Sequence, residues 1–214
     1  MNRYVTELIG TFFLVFTVGM VVVAGTAAAP LAIGSMLMVM VYMGGHVSGA
    51  HYNPAVTVGV YLRGAMERRD VLPYMAAQLL GAWLAASAVQ LITGETFAPA
   101  PGVDYGVIEA LLSEILVTFA LVLVVLNVAT SKATEGNSYY GLAIGFTVMA
   151  GAYSVGGVSG GAFNPAVGTG PIIVDVLAGS GSFGNLWIYI IGPVLGALGA
   201  VPIFRMQNPE GAAE

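Results

Sequence analysis

The sequence predicts an all-α membrane protein with six tilted transmembrane helices and two re-entrant half-helices, arranged as an inverted-topology repeat. Three observations support this prediction: the composition, six long apolar stretches, and a motif that occurs twice. Of the 214 residues, 57% are hydrophobic and only 8% are charged, whereas a soluble domain carries about a quarter charged residues. The mean hydropathy of +0.88 therefore indicates that lipid surrounds most of the protein.

The composition also excludes several classes of function. Six Lys and Arg against eleven Asp and Glu give a net charge of −5, so there is no basic footprint for nucleic acid. The chain has no cysteine, which excludes disulfides and thiolate metal sites. Since no nucleotide motif, metal-ligand cluster or nucleophile–base pair is recognisable, we expect neither enzyme activity nor a cofactor.

Six stretches are long and apolar enough to cross a bilayer, allowing for tilt. They comprise residues 4–24, 31–45, 71–93, 107–129, 139–156 and 186–204. The second and the fifth are short, and each leads into a Gly/Ser-rich stretch followed by Asn-Pro-Ala.

All the basic residues fall on one side of a chain with six crossings. They are Arg3, Arg63, Arg68, Arg69, Lys132 and Arg205. The connections on the other side contain neither Lys nor Arg. By the positive-inside rule, we expect a multi-pass protein of the cell membrane with both termini in the cytoplasm.

The two halves of the chain repeat each other. Asn53-Pro54-Ala55-Val56 recurs as Asn164-Pro165-Ala166-Val167, and the glycines and serines around the two motifs match as well. Each half contains three spans. Because three is an odd number, the second half is predicted to be inverted in the membrane relative to the first.

Each Asn-Pro-Ala box is predicted to begin a helix. Asn is a good N-cap and Pro is favoured at the first helical position, so one box alone indicates no more than a helix start. Two boxes in matching apolar contexts indicate more. The helix after the first box has room for about ten residues, roughly 15 Å, which is half of a 30 Å hydrocarbon core. Two such half-helices would enter from opposite sides and meet at their N-termini.

The segments before the boxes, 47–52 and 158–163, are predicted to be non-helical at membrane depth. Such backbone is tolerated only where it lines a wet cavity or is buried in protein, so a water-filled path is expected. Each helix N-terminus carries roughly half a positive charge, which opposes protons and cations. Asn53 and Asn164 offer N–H donors and the segment carbonyls offer acceptors, which suits neutral molecules.

These features resemble the aquaporin and glyceroporin (major intrinsic protein) family over essentially the whole chain. The resemblance rests on both boxes, on the segment 45–57, and on a Glu-x-x-x-Thr-x-x-Leu pattern that begins at Glu7 and again at Glu114. It implies a homotetramer with one pore per protomer in the lipid bilayer. It also implies passive flow of water and small neutral solutes such as glycerol, urea or ammonia.

The expected organisation is one channel domain over residues 1–214. Its first half is 1–93, an external linker is 94–106, the second half is 107–206, and 207–214 form a short cytoplasmic tail. By resemblance, the pore is lined by Gly49, Ala50, His51, Gly160 and Ala162. Glu7 and Glu114 are ionisable groups at membrane depth, and the resemblance implies that each anchors carbonyls of the opposing re-entrant loop. His51 is either a pore-lining acceptor or a pH gate.

The positions of the selectivity filter depart from the usual family pattern. By spacing from the boxes they are Ile33, Ala152, Gly161 and Val167. Water-selective members resembling this chain have an aromatic residue, a His, a small residue and an Arg at these positions. Val167 replaces the Arg, so the filter is predicted to be uncharged, poor in donors and wide enough for solutes larger than water.

Three alternatives remain open from the sequence. The first is a wide pore for neutral solutes with poor selectivity for water. The second is a secondary transporter, since these also have inverted repeats and broken helices; coupling ions would however require acidic residues where Asn53 and Asn164 lie. The third is an adhesive membrane protein with a closed pore, which long interaction loops would favour.

Overall fold

Over residues 1–209, which the computed structural model describes, the chain forms eight α-helices. They are α1 (Asn2–Val23), α2 (Ala29–Ser48), α3 (Pro54–Arg63), α4 (Arg68–Thr93), α5 (Val107–Ala129), α6 (Tyr140–Ser159), α7 (Pro165–Ala178) and α8 (Leu186–Gln207). Six of them are long and apolar enough to cross a membrane, and α3 and α7 are the two short ones. The predicted all-α class with six spans is confirmed. Residues 210–214 of the predicted tail lie outside the described residues.

The second and fifth spans are longer than predicted. Helix α2 continues to Ser48 and α6 to Ser159, so the prediction of non-helical segments over 47–52 and 158–163 was wrong for the first two residues of each. Both helices end at a glycine in the left-handed conformation, with φ of 83° at Gly49 and 86° at Gly160. Glycine adopts this conformation without a Cβ clash, which fixes where the helix stops.

The two half-helices begin alike but end differently. Helix α3 has 10 residues and ends at Gly64, where φ is 92°. Helix α7 has 14 residues, roughly 21 Å at 1.5 Å per residue, and so extends beyond the expected half-span.

The two halves of the chain pack against each other, and each half-helix contacts a long helix of the other half. Helix α1 packs on α4 and α2, α5 packs in the same way on α8 and α6, and α2 packs on α6. The half-helices cross over: α3 packs on α8, and α7 packs on α4. Each half-helix therefore has one wall supplied by the other half of the chain.

Helices α2 and α6 approach closely through glycines. A Cβ on Gly145 would lie 2.4 Å from the carbonyl oxygen of Gly34, and a Cβ on Gly34 would lie 2.6 Å from that of Gly145. Small residues allow such backbone contact between membrane helices, where packing rather than water exclusion drives association.

The segment 94–106 between α4 and α5 folds back over the second half. The Thr96 hydroxyl donates to the Asp175 carboxylate at 2.6 Å. The Gly102 N–H donates to the Val158 carbonyl at 2.9 Å, whereas the buried Phe97 ring lies against Gly19 of α1 in the first half. This segment is thereby fixed against α6 and α7 close to the second box.

We predict that Gly145→Ala destabilises the protein by about 1–3 kcal/mol, because the added methyl forces two packed backbones apart. Thermal unfolding of the detergent-solubilised protein measures the effect. Gly156→Ala is the matched control in the same helix, since a Cβ at Gly156 meets nothing within 4 Å. Equal unfolding temperatures for the two variants would contradict the close α2–α6 contact.

Candidate functional site

Asn53 and Asn164 begin the two half-helices as side-chain caps. The Oδ1 atom of Asn53 accepts from the Ala55 N–H at 2.8 Å, and Oδ1 of Asn164 accepts from the Ala166 N–H at 2.9 Å. Both asparagines have extended backbone and precede a proline at the first helical position. Pro54, Ala55, Pro165 and Ala166 are all buried. The first turn of each half-helix is thus closed by its own box.

The two boxes are joined by a reciprocal pair of hydrogen bonds. Asn53 Nδ2 donates to the Phe163 carbonyl, and Asn164 Nδ2 donates to the Tyr52 carbonyl, both at 2.9 Å. These bonds bring the N-termini of α3 and α7 together. A side-chain amide has two N–H donors, so each asparagine retains one N–H beyond the one used in this brace.

The residues just before the boxes have unusual backbone conformations. Tyr52 and Phe163 have φ of 50° and 51°, and Ala50 has φ of 52°. Positive φ is uncommon for residues other than glycine, and it costs energy that the surroundings must supply. Tyr52 and Phe163 are completely buried, so contacts with the surrounding protein stabilise this backbone conformation.

The Glu7 carboxylate supplies much of this support in the first half. Its Oε1 accepts from the Ser48 hydroxyl at 2.7 Å and the His51 N–H at 3.0 Å. Its Oε2 accepts from the Tyr52 N–H at 2.7 Å and from Gln78 Nε2 at 2.8 Å. Glu7 is fully buried, and its two oxygens are occupied by four donors.

Glu114 repeats this arrangement in the second half. It accepts from the Ser159 hydroxyl at 2.8 Å, the Ala162 N–H at 3.0 Å and the Phe163 N–H at 2.6 Å. The expectation that each carboxylate anchors carbonyls of the opposing loop was wrong. An ionised carboxylate only accepts hydrogen bonds, so each one holds N–H groups, and it holds those of its own half.

The direction of these N–H groups determines where the carbonyls point. In a trans peptide the N–H and the preceding C=O point in opposite directions. The N–H groups of residues 50–52 turn towards Ser48 and Glu7, and those of residues 161–163 turn towards Ser159 and Glu114. The carbonyls of residues 49–51 and 160–162 therefore face the other way. We call these six carbonyls the carbonyl strip.

A cavity of about 30 Å³ lies beside the two boxes, and about 10–15 Å³ is enough for one water molecule. Its polar lining residues include Asn53, Asn164 and His51. Its remaining lining is mostly aliphatic and comes in corresponding pairs, namely Leu14 with Leu121, Val18 with Val125, Ile33 with Ile144, Leu37 with Val148, and Val56 with Val167.

Some of the predicted pore and filter residues line this cavity, and others do not. Ile33, Gly161 and Val167 line the cavity, as do Ala50 and Ala162. Ala152 is not among the described residues that line it; Val148, one helical turn earlier, is.

The two glycines that were predicted to line the pore, Gly49 and Gly160, are not among the described residues that line the narrow cavity. Gly49 lines wider cavities of about 580 and 480 Å³ on the face that carries Arg3 and Lys132. Gly160 lies against Pro99 and Ala100 of the segment 94–106.

Sequence reasoning missed most of the aliphatic pairs. The signal was available, because Leu14 and Val18 in α1 have the four-residue spacing of one helix face, and Leu121 and Val125 repeat it in α5. In a chain this apolar, however, the same spacing also describes faces turned to lipid.

His51 lies at one end of the narrow cavity. It lines both that cavity and the wider one of about 480 Å³, and its Nδ1 is 3.1 Å from the Thr57 hydroxyl. It therefore marks the point where the narrow part of the path opens towards the face with the basic residues.

Comparison with known proteins identifies the family. The sequence profile described as Major intrinsic protein matches residues 1–204. The chain belongs to this family. Aquaporin NIP1-1 of Zea mays is 36% identical over 97% of the chain and 76% of its own length. Aquaporin AqpM of Methanothermobacter thermautotrophicus is 34% identical over 98% of both chains. In fold, the aquaglyceroporin structure from Plasmodium falciparum matches with a TM-score of 0.87, at 21% identity, over 100% of this chain and 99% of that one.

Membership in the major intrinsic protein family establishes the general function. The protein is a multi-pass membrane channel that passively conducts water and small solutes, and it is not an enzyme. The expected family, fold and class of function are confirmed. The secondary transporter and the adhesive protein are excluded as alternatives by the same findings.

We predict that Glu7→Gln lowers the free energy of unfolding by about 3 kcal/mol or more. The amide nitrogen of Gln would place its own N–H donors opposite donors that now bond to Glu7, and these buried groups would lose their hydrogen bonds. Thermal unfolding in detergent, together with water permeability in proteoliposomes, measures the effect. Glu95→Gln is the control at an exposed carboxylate. Unchanged stability and water flux in Glu7→Gln would contradict the proposed role of this carboxylate in shaping the loop.

Proposed function

We propose that the whole chain is one channel domain whose pore runs past the two Asn-Pro-Ala boxes. We also propose that the two boxes exclude protons and ions from this pore. The observation that supports this is the reciprocal bonding of Asn53 to Phe163 and of Asn164 to Tyr52. It holds two helix N-termini side by side, and their partial positive charges add at one point of the path. A neutral molecule meets no such barrier and can bond with the remaining amide N–H groups and the carbonyl strip.

We propose further that Ile33, Ala152, Gly161 and Val167 form a filter without charge. An Arg at the last position would present several fixed N–H donors and a positive charge, and Val presents neither. Exclusion of cations then depends on the helix N-termini alone, and solutes other than water have access to the pore.

The orientation that we propose places both termini in the cytoplasm. The basic side chains cluster on one face: Arg63 bonds to Thr130, Arg205 bonds to the Leu62 carbonyl, and Arg3 pairs with Asp70. This clustering supports the positive-inside assignment in the cell membrane.

The assembly that we propose is a homotetramer with a separate pore in each protomer. The described residues of one chain enclose the narrow cavity between its own helices. Each protomer can therefore conduct on its own.

Asn164→Asp tests the ion barrier. The carboxylate keeps an oxygen for the Ala166 N–H but places a negative charge where the helix N-termini are positive. We expect proton or Na⁺ leakage to rise by at least about tenfold while water still passes. Dye-reported ion flux in proteoliposomes measures this.

The matched variant Asn164→Ala removes the same brace without adding charge. It should leak far less than Asn164→Asp. Equal ion leakage in the two variants, or none in either, would contradict an electrostatic barrier at the boxes.

Val167→Arg tests the filter. An Arg at this position narrows the path and adds donors, so permeation of urea or glycerol should fall roughly tenfold more than that of water. Osmotic shrinkage of proteoliposomes measures both. Val167→Leu controls for bulk without charge. The filter assignment fails if the native channel passes water and excludes both solutes, or if the Arg variant leaves the ratio unchanged.

A further inference from the structure

Three buried side chains beside the first box form a hydrogen-bonded group that we call the histidine brace: His51, Thr57 and Gln78. The Thr57 hydroxyl lies at its centre. Its oxygen is 3.1 Å from His51 Nδ1, 3.0 Å from Gln78 Nε2 and 3.1 Å from the Asn53 carbonyl oxygen. Thr57 and Gln78 are completely buried, and His51 is 8% exposed. The brace therefore connects α4 to an imidazole ring that lines the narrow cavity.

The second half of the chain forms the corresponding loop without these residues. The positions that match the three members of the brace are Ala162, Gly168 and Pro193. The first two matches follow from the spacing to the boxes. The third follows because Gln78 and Pro193 each lie four residues after the tyrosine that donates to a serine carbonyl at the end of α2 or α6. Glu114 nevertheless holds its loop with three donors. Formation of the loop does not require a brace, so the brace serves what the first half alone has, the His51 ring.

The Glu7 carboxylate determines which way the Gln78 amide is turned. Glu7 Oε2 accepts from the Tyr52 N–H at 2.7 Å and lies 2.8 Å from the Gln78 amide. An amide oxygen at that distance would be repelled by the carboxylate, so the nitrogen of Gln78 faces Glu7. This nitrogen carries two N–H groups. One donates to Glu7, and the other donates to the Thr57 hydroxyl.

The hydrogen bonds of Thr57 then determine which nitrogen of His51 carries the proton. A hydroxyl has one donor and two acceptor sites, and Gln78 takes one acceptor site. If Thr57 donates to the Asn53 carbonyl, its other acceptor site is open to an Nδ1–H of His51, and three bonds form. If Thr57 donates to a bare Nδ1 instead, only two bonds form. Buried polar groups make the bonds that their geometry permits, which favours the Nδ1–H form.

The other ring nitrogen of His51 is the one turned to open space. His51 lines both the narrow cavity and the wider one of about 480 Å³. Its Nε2 would lie 3.3 Å from a Cβ on Gly49, and Gly49 lines that wider cavity as well. With the proton on Nδ1, Nε2 has a free lone pair at the point where the two cavities meet.

We propose that Thr57 and Gln78 are positioning residues that hold His51 in the Nδ1–H tautomer, so that Nε2 faces the pore as a hydrogen-bond acceptor. That Nε2 faces a conducting path rests on the proposed course of the pore; the tautomer itself does not. His51 then extends the carbonyl strip at one end with a further acceptor. A molecule that binds at this end must bring its own N–H or O–H donor.

Nitrogen NMR of the protein labelled with ¹⁵N-histidine tests the tautomer directly. The chain has two histidines, and His46→Gln leaves His51 as the single labelled ring. At about pH 8 a free histidine is neutral, and its protonated and bare nitrogens give well-separated signals. Because one extra hydrogen bond favours it, the Nδ1–H form should exceed the Nε2–H form by about fivefold or more. A ring that is mainly Nε2–H, or protonated on both nitrogens, would overturn the proposal.

Thr57→Val and Thr57→Ser test the brace. Val has nearly the shape of Thr but accepts no hydrogen bond, so the Nε2–H form that a free imidazole prefers should become the major one. Ser keeps the hydroxyl and should keep Nδ1–H. If Thr57→Val does not fold, the double variant Thr57→Val with Gln78→Met removes both polar groups and leaves Glu7 with three donors, as many as Glu114 has. An unchanged tautomer without the hydroxyl would overturn the role of the brace.

Water flux through the native protein in proteoliposomes separates this inference from the proposed function. A protein with the Nδ1–H form that conducts water supports both. Absence of water flux would contradict the proposed pore, and with it the role of Nε2 as a pore acceptor. An Nε2–H ring in a channel that conducts water would contradict the brace alone.

Discussion

Glu7 and Glu114 are the acceptors around which each half of the channel is built. A chain that leaves a helix inside a membrane exposes N–H groups for which lipid offers no partner. Each carboxylate gathers those groups from the loop of its own half. Because the N–H groups bond to these side chains and to Ser48 and Ser159, the carbonyls of residues 49–51 and 160–162 point away from the two carboxylates. Without the two carboxylates the loops before the boxes have no fixed conformation, and their carbonyls have no fixed direction.

The sequence allowed the fold class to be predicted because its signals are local or repeated. Apolar length fixes the spans, and Asn-Pro fixes the starts of α3 and α7, since capping needs only neighbouring residues. The helix ends at Gly49 and Gly160 could also have been read from glycine before a turn. The length of α7 could not, because its C-terminal part depends on packing against α4 and on the segment 94–106.

The two boxes at the centre of the candidate site could be predicted from the sequence, but most of the aliphatic residues that line it could not. The boxes could be recognised because the same motif occurs twice in matching positions. The bond from Asn53 to the Phe163 carbonyl joins residues far apart in the chain, and no spacing rule indicates it. Val148 and Ala152 lie one turn apart on α6, and of the two it is Val148 that lines the narrow cavity. A sequence pattern defines a helix face only to within about a turn, so this distinction needed coordinates.

The bonds between the boxes also constrain how the channel is made in the cell. Neither half completes its own polar groups: the Tyr52 carbonyl finds its amide partner only in the second half, and the Phe163 carbonyl only in the first. A chain folded only as far as α4 therefore lacks the amide partner of the Tyr52 carbonyl, and its cavity lacks the wall that α5, α6 and α7 supply. We infer that such a partly assembled chain does not conduct.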